Sequence, residues 1–270
     1  KAYARSFRAS ITCMSHLNEP QLAWIEPDEA LPTPESVEPL PEHPGLIAAG
    51  RDLSVARLLE AYSAGIFPWF SEGQPVLWWS PDPRMCLKPT AFKLHSSLRK
   101  RIQTGLRSKR LRIAINEDFH SVITYCATRP RDGQQGTWIV PSMIEAYRAF
   151  HIAGYAHAVT AHWDGELVGG LYFVNIGGAV FGESMFSLAT DGSKFALAAL
   201  VAICRRESVA LIDCQQETRH LASLGAQPIS RQVFLQSLRQ AKMRAAIDLG
   251  FSEETWLTLD PRLTTHNRVS

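Results

Sequence analysis

The sequence predicts an α+β fold, with a small N-terminal domain followed by a mixed, centrally antiparallel sheet flanked by helices. Three observations lead there. Beyond residue 110 the hydrophobic period changes repeatedly between helical spacing and strict alternation. Three apolar runs, 155–163, 167–175 and 179–184, are joined by Asp164-Gly165 and Gly177-Gly178, pairs suited to tight hairpin turns. The 270 residues, 46% hydrophobic and 20% charged, are enough to bury such a core without disulfides or a structural metal.

Taken in order, the elements follow from local chemistry. The first 17 or so residues lack periodicity and read as a loosely attached leader, and the six prolines of 27–44, with several acids, describe an extended, turn-rich segment. Asp52-Leu53-Ser54 caps a helix over 55–64 with Leu58, Leu59 and Tyr62 on one face and Gly65 as its stop. The aromatic stretch GIFPWFSEGQPVLWWSPDPR follows, too broken by proline and glycine to be one helix or one strand. Residues 111–115 alternate as a strand, Asp118 opens a helix, and Pro141 stands in the first turn of another that Gly154 ends. Beyond the hairpins come a helix over 193–206, an apolar strand over 209–214 and a helix over 231–243 capped by Ser230. The expected organisation is a leader and acidic segment at 1–40, a small domain at 41–90, a larger domain at 91–250 and a tail at 251–270.

The net charge of +2 hides a segregation. Residues 88–112 hold nine Lys or Arg and no acid, whereas 19–42 hold seven acids and no base. A basic block that pure is a place for an anion to lie. The five cysteines are odd in number and form no C-x-x-C pair, so reduced thiols are expected rather than a disulfide framework or a zinc site. With no apolar run near the ~18 residues of a membrane span, a soluble, cytoplasmic protein is expected.

Common chemical signatures are missing: no phosphate-binding glycine loop, no nucleophile elbow, and no paired histidines at metal-ligand spacing among the nine. Two polar clusters stand out instead, each ending an apolar strand: Glu183 after Ala179-Val180-Phe181-Gly182, and Asp213 with Gln215 after Val209-Ala210-Leu211-Ile212. A carboxylate so placed either caps and braces the sheet or does chemistry, and Gly182 permits close approach of another chain. The tryptophans also divide. Most belong to packing, but a ring in a proline-stiffened loop beside a basic block suits single-stranded nucleic acid, whose bases stack while cations follow phosphates. Trp138, isolated in Gln135-Gly136-Thr137-Trp138-Ile139, is a second such ring.

Gly45-Leu46-Ile47-Ala48-Ala49-Gly50, Asp52-Leu53-Ser54, GIFPWF, LWWSPDPR, Gly136-Thr137-Trp138-Ile139, GESMFS at 182–187, LIDCQ at 211–215 and HLASLGA at 220–226 together resemble the leucyl/phenylalanyl-tRNA-protein transferase family over about 41–243. The resemblance implies a small domain joined to a GNAT-type acyltransferase domain. It implies transfer of Leu or Phe, less readily Met, from aminoacyl-tRNA to the amino terminus of proteins beginning with Arg or Lys, a degradation signal of the N-end rule pathway. By resemblance Trp69 and Trp138 contact the terminal adenosine of the tRNA, Lys93, Arg99, Lys100, Arg101, Arg107, Lys109 and Arg110 hold its stem, and Phe67, Trp78 and Trp79 support them. Leu171, Val180, Phe181 and Met185 surround the aminoacyl side chain, with the sequence departing from the family pattern at Leu171, Val180 and Phe181. Asp213 with Gln215 takes the amine's proton and orients it, and Glu183 holds the cationic acceptor. No cofactor and no metal are implied, because an aminoacyl ester is already activated, and a monomer is expected. The competing enzyme of the same fold, dependent on acetyl-CoA, needs a glycine-rich loop at a helix start, where 187–193 offers a single glycine. A tRNA-binding adaptor without catalysis is disfavoured by Glu183, Asp213 and Gln215 occurring together.

Overall fold

The computed structural model describes residues 21–129 and 139–264. Its first element lies in the acidic, proline-rich segment: β1 (Ala23–Ile25) runs parallel to β2 (Leu46–Gly50), with Ala23 opposite Ala48. Arg57 explains why so polar a segment is ordered. It stands in α1 (Val55–Ser63), is only 4% exposed, and donates to the carbonyls of Glu26, Pro27 and Glu29 while pairing with Glu60. The helix begins where the sequence places it, the Ser54 hydroxyl accepting from the Arg57 amide.

β3 (Phe67–Pro68) and β4 (Val76–Trp79) complete a four-stranded sheet in the order β1-β2-β4-β3. Pro68, which has no N–H to give, sits on the edge strand. Phe67 and Trp78 are buried in its core. The chain then leaves this sheet, and β5 (Arg84–Leu87) joins the second one. The larger sheet therefore draws on residues that the sequence assigns to the small domain.

α2 (Ser96–Arg107) turns Leu98, Ile102 and Leu106 inward and Lys100, Thr104 and Arg107 outward. β6 (Leu111–Ile115), α3 (Phe119–Thr128), α4 (Pro141–Ile152), β7 (Ala156–Trp163), β8 (Glu166–Ile176) and β9 (Ala179–Ser187) follow the predicted order, with Asp118 capping α3. α5 (Gly192–Arg206) is buried along nearly its whole inner length. β10 (Ile212–Gln215) starts later than the apolar run at 209 predicts, because the Val209 amide bonds to the Cys204 carbonyl and closes α5 instead. α6 (Arg219–Ser223), β11 (Gln227–Ile229) and α7 (Arg231–Ala241) come next. The region read as a tail forms α8 (Thr255–Leu259), whose Trp256 is 1% exposed and whose Thr258 and Leu259 carbonyls accept from Arg205 of α5.

The seven strands are ordered β11-β5-β10-β9-β8-β7-β6, all neighbours antiparallel except β9 and β10. α3 and α4 cover one face in a core shared with α1, α7 and the smaller sheet; α5, backed by α2 and α8, covers the other. No helix among the described residues is long and apolar enough to cross a membrane.

Candidate active site

Two irregularities in adjacent strands create the site. Along β8 and β9, Tyr172 pairs with Ser184 and Phe173 with Gly182, so Glu183 is the extra residue of a bulge. Along β5 and β10, Asp213 pairs with Cys86 and Gln215 with Met85, so Cys214 is extra. Bulges turn side chains off the sheet's alternation. Here they aim Glu183 and Gln215 at each other, and Gln215 Nε2 donates to Glu183 Oε1 at 2.9 Å. Gln215 adopts a φ of 62°, a left-handed conformation that costs a non-glycine residue energy. Its amide offsets part of that by donating to Asp213 Oδ1 at 2.8 Å.

Asp213 is not a free carboxylate. Arg84 grips it with Nε on Oδ1 at 2.8 Å and Nη2 on Oδ2 at 2.6 Å, and both side chains are withdrawn from water. The guanidinium carbon lies 4.8 Å from the Phe67 ring centre and 4.6 Å from that of Phe234, so aromatic faces cover the ion pair. Oδ1 thus accepts twice and Oδ2 once, which ties Asp213 to Arg84 and to the Gln215 backbone. The sequence reading gives Asp213 the amine's proton; in the structure its partners are Arg84 and the Gln215 amide.

Glu183 is the opposite case. It is half-buried and has no cation in ion-pair range among the described residues. Burial pushes its carboxyl up to about 7, with the nearby Asp213 charge adding to the rise; hydrogen bonds from Tyr62 and Gln215 and the charge of Arg84 oppose it. Tyr147 donates to Oε2 at 3.4 Å, and the buried Tyr62 and Tyr147 hydroxyls bond to each other. Burial, and then the neighbouring Glu183 charge, hold both phenols well above the ordinary tyrosine range.

The remaining predicted residues divide. Leu171, Val180 and Met185 share the core beneath α5, whereas Phe181, next along the strand from Val180, lies on the other face, its ring centre 5.1 Å from that of Tyr62 in an edge-to-face contact. The four therefore do not line one pocket; only Phe181 faces the side of Glu183. Trp69 is half-exposed and meets Trp79 edge-on at 5.5 Å, while Trp79 Nε1 donates to the Trp69 carbonyl. Trp138 lies outside the described residues. In the basic block, Arg101 pairs with Asp191 and Arg110 with Asp164. Exposed Lys93, Lys100, Arg107 and Lys109 have no carboxylate in ion-pair range among the described residues, and half-exposed Arg99 lies near Asp260. Gly182 is less demanding than its place implies, since a Cβ there would meet the Asp213 carbonyl at an ordinary 3.5 Å.

Sequence reasoning missed Arg84, Tyr62 and Tyr147. For Arg84 the signal was present: a charged residue heads the otherwise apolar Arg84-Met85-Cys86-Leu87, the same pattern that singled out Asp213. The start of α5, where an acetyl-CoA pyrophosphate would need open amides, is filled from within. Ser193 N–H donates to Ser187 Oγ at 2.9 Å, and a Cβ on Gly192 would fall 1.8 Å from the Val168 carbonyl oxygen. Among the described residues no three His, Cys, Asp or Glu side chains gather as a metal site. What the cluster can do is hold one half-buried, proton-exchanging carboxylate in a fixed orientation beside an amide side chain.

The family model described as leucyl/phenylalanyl-tRNA protein transferase matches residues 86–239, and the model of that protein's N-terminal domain matches 51–82. A leucyl/phenylalanyl-tRNA--protein transferase of Polaromonas sp. is 59% identical over 197 residues, spanning 73% of this chain and 77% of the relative. The transferase of the same name from Cupriavidus necator is 53% identical over 227 residues, spanning 84% of this chain and 91% of its own. That of Methylibium petroleiphilum is 52% identical over 239 residues, spanning 87% and 90%.

Proposed function

Since the chain belongs to the leucyl/phenylalanyl-tRNA protein transferase family and moves an aminoacyl group from tRNA to protein, we propose that Glu183 is the base of that transfer. The donors are Leu-tRNA and Phe-tRNA, with Met-tRNA less readily used. The acceptors are proteins beginning with Arg or Lys, marked in this way for degradation by the N-end rule in the cytoplasm, and the enzyme works as a monomer.

The aminoacyl ester arrives activated, so the protein's task is to deliver a neutral amine to its carbonyl. An α-ammonium has a pKa near ~8, within reach of a base poised near neutrality. Glu183 takes one ammonium proton and the freed nitrogen attacks the ester carbon. The C–N bond forms as the C–O bond to ribose breaks, the attacking nitrogen sheds a second proton that passes to the departing ribose oxygen, and Glu183 later returns the first proton to water. Gln215 keeps the carboxylate oriented and offers its amide to the incoming amine. Asp213, locked by Arg84, fixes the Gln215 backbone and acts as a positioning residue. The Trp69 and Trp138 rings receive the terminal adenosine, and Lys93, Arg99, Lys100, Arg107 and Lys109 follow the stem phosphates. Arg101 and Arg110 join them by exchanging their carboxylates for phosphates.

The observation that carries this reading is the half-buried Glu183, hydrogen-bonded on both oxygens yet free of any salt bridge among the described residues. Incubation with labelled Phe-tRNA and an Arg-starting peptide tests it. Label should move to the peptide, and Glu183→Gln should abolish the acid limb of the pH profile of kcat/KM and lower kcat about 10²-fold or more. A normal kcat in folded Glu183→Gln protein would return the proton to the substrate or to water.

A further inference from the structure

Two buried phenols stand against Glu183 with no part in the chemistry described so far. Tyr62 comes from α1, beside the smaller sheet, and Tyr147 from α4. Both are wholly withdrawn from water, and their rings meet edge-on, 6.5 Å between centres. A core that needed only volume there could use phenylalanine, as the adjoining Phe150 and Phe181 do. A phenol in such a place needs a partner for its hydroxyl. Each hydroxyl finds one in the other, and Tyr147 reaches Glu183 Oε2.

The proton inventory is restrictive. The pair carries two hydroxyl hydrogens. One is spent between the two tyrosines, and the second points to the carboxylate, whichever ring supplies it. Gln215 already serves the other oxygen. We infer that Tyr62 and Tyr147 are positioning residues for Glu183, their joined hydroxyls keeping one donor on its carboxylate and so holding it ionised for the amine proton. The inference rests on Glu183 being the base. The groups facing Glu183 are Tyr62 from α1, Tyr147 from α4, Gln215 and Asp213 from β10 and Arg84 from β5. Of these, one phenol of the pair and Gln215 donate to it directly, while Asp213 and Arg84 are occupied with each other. Both phenols remain protonated, since burial holds them well above the ordinary tyrosine range, so they serve as donors and not as bases. Because Tyr62 belongs to α1, the segment before the larger sheet supplies part of the site's hydrogen bonding.

The test compares kcat/KM against pH for wild type, Tyr62→Phe, Tyr147→Phe, the double variant and Glu183→Gln, with Phe-tRNA and an Arg-starting peptide. A donor to an ionised group is worth roughly one pKa unit, so the double variant should move the acid limb up by about one pH unit, a tenfold loss below it. Each single variant should move it less, because the remaining hydroxyl turns to the carboxylate. On the Glu183→Gln background neither change should move the profile. A folded double variant whose acid limb stays at the wild-type position overturns the inference, and so does a fall in melting temperature with no movement of the limb in either single variant. An acid limb that persists in Glu183→Gln is a separate failure, because it removes Glu183 as the base.

Discussion

Asp213 and Glu183 are both carboxylates on neighbouring strands, yet their partners give them different tasks. The Arg84 fork makes Asp213 structural, and removing one member of a buried pair leaves the other uncompensated. Asp213→Asn is therefore expected to lower stability by about 3–5 kcal/mol. Adding Arg84→Met should restore much of that in denaturant unfolding, and the double variant should keep more kcat than Asp213→Asn alone. A fully stable Asp213→Asn protein would contradict the pairing. Glu183 acts in the other direction. Its folded carboxyl, near 7, lies above its ordinary value of 4.5, so the folded state keeps a proton that the unfolded chain loses first. Stability then falls as pH rises from about 4.5 to 7 and stays lower beyond. Glu183→Gln removes that cost, and discounting for partial exposure it should gain on the order of 1–2 kcal/mol at pH 8. At pH 4 thermal melts should show no gain.

Elements were easier to read than the site that two of them carry. Alternation, turn pairs and caps made the three central strands, α1, α3 and α4 legible, because each depends on neighbours in sequence. The bulges were not legible. Nothing marks Cys214 as an extra residue, and Gln215 is not the glycine or asparagine that a left-handed position ordinarily announces. The divided pocket follows from plain alternation, which puts adjacent Val180 and Phe181 on opposite faces, while the bulge at Glu183 returns Met185 to the face of Val180. α2 teaches a related lesson. The basic block around it is pure in sequence, but Asp191, Asp164 and Glu117 pair with Arg101, Arg110 and Arg112. Replacing Lys100, Arg107 and Lys109 with alanine should thus weaken tRNA binding and reduce the salt slope by about 0.7–0.9 for each phosphate left without its cation. Replacing Arg101 and Arg110 should do less, as binding titrations at several salt concentrations will tell. Among the glycines, Gly182→Ala should leave folding intact, whereas Gly192→Ala, aimed at a carbonyl 1.8 Å away, should destabilise the start of α5 in thermal melts.

Across the molecule, the smaller sheet and the larger one meet at the site through Phe67, Arg84 and Phe234. The aromatic stretch thereby contributes to packing, and the proposed function adds the tRNA end at Trp69. Trp69→Ala separates the two uses. A stacked base is worth about 1–3 kcal/mol, so KM for aminoacyl-tRNA should rise about fivefold or more while melting changes little. A melting loss that matches the activity loss would make Trp69 part of the core. β5 carries a further consequence. It lies between β10 and β11 in space, but Arg84 and Asp213 are 129 residues apart along the chain. On a ribosome adding about 5–20 residues per second, Arg84 emerges on the order of ten seconds before the carboxylate that neutralises it. Until then the strand has neither of its neighbours and the bulge on β10 does not exist. A nascent chain stalled before residue 213 therefore holds Arg84 without its carboxylate, and the ion pair where the two sheets meet can form only late in each round of synthesis.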